Sequence, residues 1–342
     1  MNIPNSSGLR ILFAGSPAIA LPSLEMIAEA ARSGRWALAG VLTNPDKRKG
    51  RGGETLPSEV GCRAAQLAEE FASQNIMAPA ILKFETLKAE ARAAVSLLKP
   101  DLLVSFAYGR IFGPQFMSLF PMGGINIHPS LLPKYRGASP IQEAILHRDN
   151  VTGVSIQRIA SEMDTGNILA REKITLNGRE TTASLSEAAA LVGAELLDGV
   201  LGHFEKGEMP EGLPQQGEAS YCTVIEKSGG LIDWDSGALD IDAQVRAYNP
   251  WPLAHTNHNG QTLNILEAAP YAGPAPCSAA GPGAPSVQAG GVLGIDKKSG
   301  ILVQTGDGVL AVTLLQYQHR KILPWQAFLN GARDFIGSCF SA

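Results

Sequence analysis

An asparagine, a histidine and an aspartate are the side chains of this 342-residue chain best placed to do chemistry. Asn126 and His128 stand two residues apart in the run Ile125-Asn126-Ile127-His128-Pro129-Ser130-Leu131-Leu132-Pro133. Strand alternation puts residues two apart on one side of the backbone. Pro129 then breaks the strand. Both side chains therefore belong at a strand's carboxyl end, where open α/β sheets place their ligands. Asp164 follows in the turn-rich Ser161-Glu162-Met163-Asp164-Thr165-Gly166. Together they can steady an oxyanion, move a proton, and orient or accept that proton, which is the equipment of acyl transfer. Taken singly, each has a bland reading: a lone histidine is more often structural, and Asp-Thr-Gly is usually only a turn.

The elements that must hold these residues read as a Rossmann-like doubly wound α/β domain with a mostly parallel sheet. Leu9 to Ala14 is an apolar strand ending in Gly15-Ser16-Pro17, followed by a helical pattern from about Ile19 to Arg32. Gly-Ser-Pro is not the G-x-G-x-x-G of a dinucleotide site, so nicotinamide chemistry is set aside. Strands are predicted at Trp36 to Leu42, near Ile76, at Leu102 to Phe106, Gly124 to Ile127, Thr152 to Ile156 and Asn167 to Thr175. Helices are predicted over Pro57 to Ser73 with a Ser58 cap, Glu85 to Leu98, Ser139 to His147 and Thr182 to Glu205. Residues 1–205 form this domain, 206–220 a Gly, Pro and Glu rich linker, and 221–342 a second domain. The latter has short strands at Thr262 to Ala268, Gly291 to Ile295, Ile301 to Thr305 and Val309 to Gln316, the spacing of a small β-barrel. Pro274 to Gly290 is read as an excursion between two of those strands.

Composition narrows the function. With 45% apolar and 18% charged residues the chain is an ordinary globular protein, and its net charge of −4 argues against nucleic-acid binding over its whole surface. Any RNA contact must be local. Lys47-Arg48-Lys49-Gly50-Arg51 puts four cations in five positions on a glycine-rich loop, a density that attracts a phosphate backbone. The alternative is a solvated loop with no partner. From Glu226 onward seven basic residues face nine acids; Arg320 and Lys321 are the candidates there for a local RNA contact. The four scattered cysteines have no metal spacing and read as reduced thiols. No export signal or membrane span is seen, so the expected location is the cytoplasm.

The motifs Asn126-x-His128, Ser130-Leu131-Leu132-Pro133, Arg136-Gly137 and Met163-Asp164-Thr165-Gly166 resemble the signature of the folate-dependent formyltransferases. The order of 130–142, Ser-Leu-Leu-Pro-Lys-Tyr-Arg-Gly-Ala-Ser-Pro-Ile-Gln, is similar to the branch acting on methionyl-tRNA. The likeness runs from about Arg10 to Arg333. In the second domain Ile232-Asp233-Trp234, Arg246 to Pro252 and Thr305 to Gly308 match the family's OB-like barrel. Asn249-Pro250-Trp251-Pro252 is read as a rigid turn with a buried aromatic.

The resemblance implies transfer of formyl from 10-formyltetrahydrofolate to initiator methionyl-tRNA, with neither a metal nor a covalent intermediate required. Asn126, His128 and Asp164 are implied to be catalytic. Phe106, Ala107, Tyr108, Gly109 and Ile111, with Ser130, Leu131, Leu132 and Pro133, are implied to hold the folate. Arg110 and Phe112 stand where the family more usually has an amide and a leucine. Lys47, Arg48, Lys49 and Arg51, with Arg320 and Lys321, are implied to touch tRNA; DNA and membrane are not expected partners. Past Gly50-Arg51-Gly52 the family commonly continues with lysines, whereas Gly53 and Glu54 follow here. Competing readings are a formyltransferase for an amino sugar or other small amine, a formyltetrahydrofolate hydrolase, and a non-catalytic RNA-binding module.

Overall fold

Strands that are apolar on both faces must be covered on both faces, and this requirement sets the first half of the molecule. The computed structural model describes residues 8–48, 53, 55–274, 288–332 and 334–341. Its contacts divide the chain into two compact units. One takes in the chain up to Pro140, Val151–Thr175 and Ser186–Thr223; the other takes in Ile141–Asn150, Leu176–Leu185 and the chain from Val224 onward.

The first unit is built on a seven-stranded sheet. Its strands are β1 (Arg10–Gly15), β2 (Ala37–Thr43), β3 (Ala80–Lys83), β4 (Leu102–Phe106), β5 (Gly124–His128), β6 (Val151–Arg158) and β7 (Ile168–Thr175). The order is β7-β6-β5-β4-β1-β2-β3. From β3 to β5 all neighbours are parallel, and β6 and β7 add an antiparallel edge. Strand order therefore reverses between β1 and β4, which opens a crevice at their carboxyl ends. The expected doubly wound, mostly parallel sheet is what forms. Helix α1 (Leu21–Arg32) and helix α2 (Glu59–Ser73) flank it, and Ser58 Oγ caps α2 by accepting from Gly61 N–H at 2.9 Å.

One strand differs from expectation. Ile76 is not in the sheet: Asn75 takes a left-handed φ of +56° and Ile76 N–H bonds back to Phe71 O, which ends α2. β3 starts only after Pro79.

The second unit is an antiparallel sheet of six strands, as the OB-like reading expects, although its path stays open among the described residues. Its inner face buries Leu263, Ile265, Ile301, Val303, Leu310 and Val312. A helix at Ala238–Ala247 and a strand at Ala254–His258 add to the elements expected from the sequence. The helix was legible: Ala238, Ile241 and Val245 are its buried stripe. Trp251 corrects a further expectation, because it is 56% exposed, not buried. The flanking prolines shape the Asn249–Pro252 turn without drawing the indole into the core. Most of the excursion after Pro274 lies outside the described residues.

Candidate active site

The edge between β4, β5 and β6 carries a row of polar side chains. Register aligns Ser105, Asn126 and Gln157 across the three strands, and His128 with Ser155 one step further on. The opposite face is apolar: Ile127, Phe106 and Val154 pack around Gly193 of the helix Thr182–Glu205, where a Cβ would meet Ile127 at 3.1 Å. A strand alternating in this way presents one dry face to a helix and one polar face to a ligand. Asn126 is half-buried, and its amide has no hydrogen-bond partner among the described residues.

His128 is 4% exposed. Its Nε2 lies 2.8 Å from the Tyr135 carbonyl, which only accepts, so Nε2 carries the ring proton. Nδ1 faces Asp164 Oδ2 at 3.6 Å and is the nitrogen left for proton exchange. The Tyr135 carbonyl is presented by the Pro129–Tyr135 loop. Ser155 Oγ anchors that loop, donating to Ser130 O at 2.7 Å and accepting from Leu132 N–H at 3.1 Å. Ser130 donates to Lys134 O at 2.5 Å. Ser130, Leu132 and Pro133 are thus buried parts of the loop's own frame, while Leu131 is half-buried.

β6 runs antiparallel to β5, so its end at Arg158 lies beside the start of β5, away from His128. The chain must fold back to bring Asp164 to the imidazole. Gly166 permits this, since a Cβ there would sit 1.7 Å from the Arg158 carbonyl. Asp164 itself takes a left-handed φ of +56°. Its Oδ1 accepts from Gln157 Nε2 at 2.8 Å, and its Oδ2 accepts from Gly137 N–H at 2.9 Å. Gly137 is also tightly placed, with φ +120° and the Cys222 carbonyl where a Cβ would be. Gln157 and the Tyr135 carbonyl are site groups that no sequence motif marks. The only signal was that Gln157 falls on the same face as Ser155 by strand period.

A profile described as Formyl transferase matches residues 10–201, and one described as Formyl transferase, C-terminal domain matches residues 224–333. The chain belongs to the formyl transferase family. Among its relatives, a methionyl-tRNA formyltransferase of Treponema denticola is 42% identical over 97% of this chain and 99% of its own length. One of Treponema pallidum is 40% identical over 95% and 97%. The crystal structure of HypX from Aquifex aeolicus in complex with tetrahydrofolic acid shares the fold at a TM-score of 0.58. It is 17% identical and covers 86% of this chain and 47% of that one.

In this formyl transferase the crevice beside β1 and β4 is bounded by Phe106 to Ile111. Ala107 and Gly109 have φ of +50° and +76°, and Ile111 is largely exposed. Gly109 to Ile111 make no backbone-to-backbone hydrogen bond among the described residues. Asn44 shapes the segment from below, donating to Tyr108 O at 3.0 Å and to Ser16 Oγ at 2.9 Å. Arg110 Nε in turn donates to Asn44 Oδ1 at 2.8 Å. Tyr108 and Phe106 are buried, and Phe112 stacks on Tyr108 at 5.5 Å. Burial also pushes the Tyr108 phenol up.

The cation-rich loop begins as a short ribbon in which Lys47 pairs with Leu56 and Arg48 with Thr55; both basic side chains are exposed. Lys49 and Arg51 lie outside the described residues. In the second unit Arg320 and Lys321 are exposed in the turn after the strand Val309–Tyr317.

Proposed function

We infer that the protein transfers the formyl group of 10-formyltetrahydrofolate to the amino group of methionyl-tRNA, giving N-formylmethionyl-tRNA. The likeness to methionyl-tRNA formyltransferases along nearly the whole chain selects the acceptor. The observation that carries the chemistry is the Asn126 amide, without a hydrogen-bond partner among the described residues, on the polar sheet face that also bears His128, which Asp164 meets from its loop. A neutral amine is already a nucleophile, so the chain must supply an oxyanion donor, a path for the amine proton, and geometry. Asn126 Nδ2 donates to the formyl oxygen as charge develops there. Asp164 takes the amine proton directly or through water, and His128 Nδ1 passes it to the departing folate nitrogen as the bond from that nitrogen to the formyl carbon breaks. Donation from His128 Nε2 would first have to break its bond to Tyr135 O, so the Nδ1 route is favoured. The folate lies along Phe106 to Ile111 and the Ser130–Pro133 loop, the latter acting through its backbone. Lys47, Arg48, Lys49 and Arg51 contact the acceptor stem of initiator tRNA, and Arg320 and Lys321 add a contact from the second unit. The reaction takes place in the cytoplasm, without DNA as a partner; no helix among the described residues is long and apolar enough to cross a membrane.

The test is formyl transfer from 10-formyltetrahydrofolate to purified methionyl-tRNA, beside free methionine, an amino sugar and water as acceptors. Transfer to methionyl-tRNA should exceed the others by at least about a hundredfold, the gap expected when binding energy of remote contacts is needed at the reacting centre. Comparable use of an amino sugar, or rapid hydrolysis without acceptor, would overturn the reading.

A further inference from the structure

Gln215 lies in the segment that the sequence presents as a linker, yet its side chain is bonded into the aspartate loop. Its Nε2 donates to the carbonyls of Asp164 at 2.8 Å and Gly166 at 2.9 Å, with Gln157 Oε1 at 3.4 Å beside them. Its orientation is fixed from the other side. Oε1 accepts from both Nε and Nη2 of Arg136, at 3.1 and 2.7 Å, so the amide nitrogen must face the loop. The surrounding chain is a strap over both loops of the site. Leu213 exchanges backbone bonds with Ile168, Ser220 accepts from Tyr135 and Arg136 N–H, and Tyr221–Cys222 pair with Arg136–Gly137.

We propose that Gln215 is a positioning residue for Asp164, holding the backbone that aims its carboxylate at His128. The proposal rests on the reading of Asp164 as a proton-handling group. Two observations require such a residue. The loop leaves β6 at the wrong end of β5 and has to be folded back, and Asp164 is held in a left-handed conformation that a non-glycine residue keeps only when its surroundings over-determine it. Gln157 and Gly137 hold the carboxylate itself; neither bonds the backbone carbonyls of Asp164 and Gly166, the residues on either side of Thr165. Gln215 does, at both. Arg136 acts one step further out, by keeping the amide from turning.

A double-mutant cycle separates positioning from mere tethering. Gln215→Met keeps the side-chain length and removes both donors. Single-turnover formyl transfer to methionyl-tRNA is measured for the wild type, Gln215→Met, Asp164→Asn and the double variant, at enzyme in excess so that residual rates are readable. In the wild-type background Gln215→Met should slow the chemical step by about ten- to a hundredfold, the scale of a misplaced catalytic group. KM for either substrate should change by less than about threefold. In the Asp164→Asn background the same substitution should cost less than about threefold, because no carboxylate remains to be aimed. Equal losses in both backgrounds would mark Gln215 as structural and overturn the proposal, as would no loss in the wild type. Wild-type turnover by Asp164→Asn alone would instead bring down the role of Asp164, and the inference with it. If Gln215→Met does not fold, Arg136→Met, which frees the amide to rotate, carries the same cycle.

Discussion

His128 has one ring nitrogen committed to a backbone carbonyl and the other turned to a carboxylate, and this division sets what each residue can do. With Nε2 holding its proton for Tyr135, the proposed mechanism routes the proton through Nδ1 and Asp164 and leaves Asn126 to meet developing negative charge. Replacing Asn126, His128 or Asp164 with Ala should each lower turnover by at least about a hundredfold, the scale of losing an oxyanion donor or an acid–base group. The fold and binding of a folate analogue should largely survive. Steady-state rates on methionyl-tRNA provide the measurement, and near-normal turnover by His128→Ala would contradict the assignment. If His128 and Asp164 act as the proposed unit, the combined substitution is expected to be non-additive.

At the scale of elements, the second unit contains a buried titratable group with no part in the proposed chemistry. His258, on the strand Ala254–His258, packs edge-on against Phe335 at 4.7 Å and places Nδ1 2.7 Å from Tyr317 Oη. Its Nε2 is buried without a partner among the described residues. Burial pulls the imidazole below its ordinary value of 6.5, because the charged form would lose its hydration. The unfolded chain therefore binds the proton first as pH falls. The stability that neutral His258 lends is fully present above about 6.5 and is lost as pH drops from there through the lower folded value. His258→Leu should accordingly cost less stability relative to wild type at acidic than at neutral pH. Urea unfolding of both proteins at two pH values on either side of 6.5 checks this. A cost that does not vary with pH would show that the imidazole does not titrate differently in the fold.

For the whole molecule the question is how a protein of net charge −4 attracts a polyanion. Charge must be concentrated, and the exposed Lys47 and Arg48 begin the densest cluster in the sequence. Replacing both with Ala should raise KM for methionyl-tRNA and make log Kd less steep in log salt, by roughly one unit for each phosphate that the variant no longer neutralises. Folate-analogue binding, which involves no tRNA, should stay as it was. An unchanged salt slope would return the loop to an ordinary solvated surface segment.

What the sequence determined by itself is what depends on neighbours along the chain. Alternation in Ile125 to His128, the break at Pro129, the unbroken apolar run of Leu102 to Phe106 and the Ser58 cap are local, and each appears where the residues say. The family was legible for the same reason, since its motifs are contiguous. Even locally, Ile76 misled, because an apolar residue can close a helix as well as open a strand, and only the left-handed turn at Asn75 decides which. Trp251 misled likewise: prolines dictate a turn, but whether its aromatic meets a core depends on what lies across from it. The tertiary structure alone decided how Asp164 reaches His128, because that requires a loop folded back against Arg158. It alone decided the ring nitrogen fixed by Tyr135 and the recruitment of Gln215. The His128–Tyr135 and Asp164–Gln215 hydrogen bonds join residues 7 and 51 apart in the chain, and no periodicity of helix or strand reports a contact of that kind.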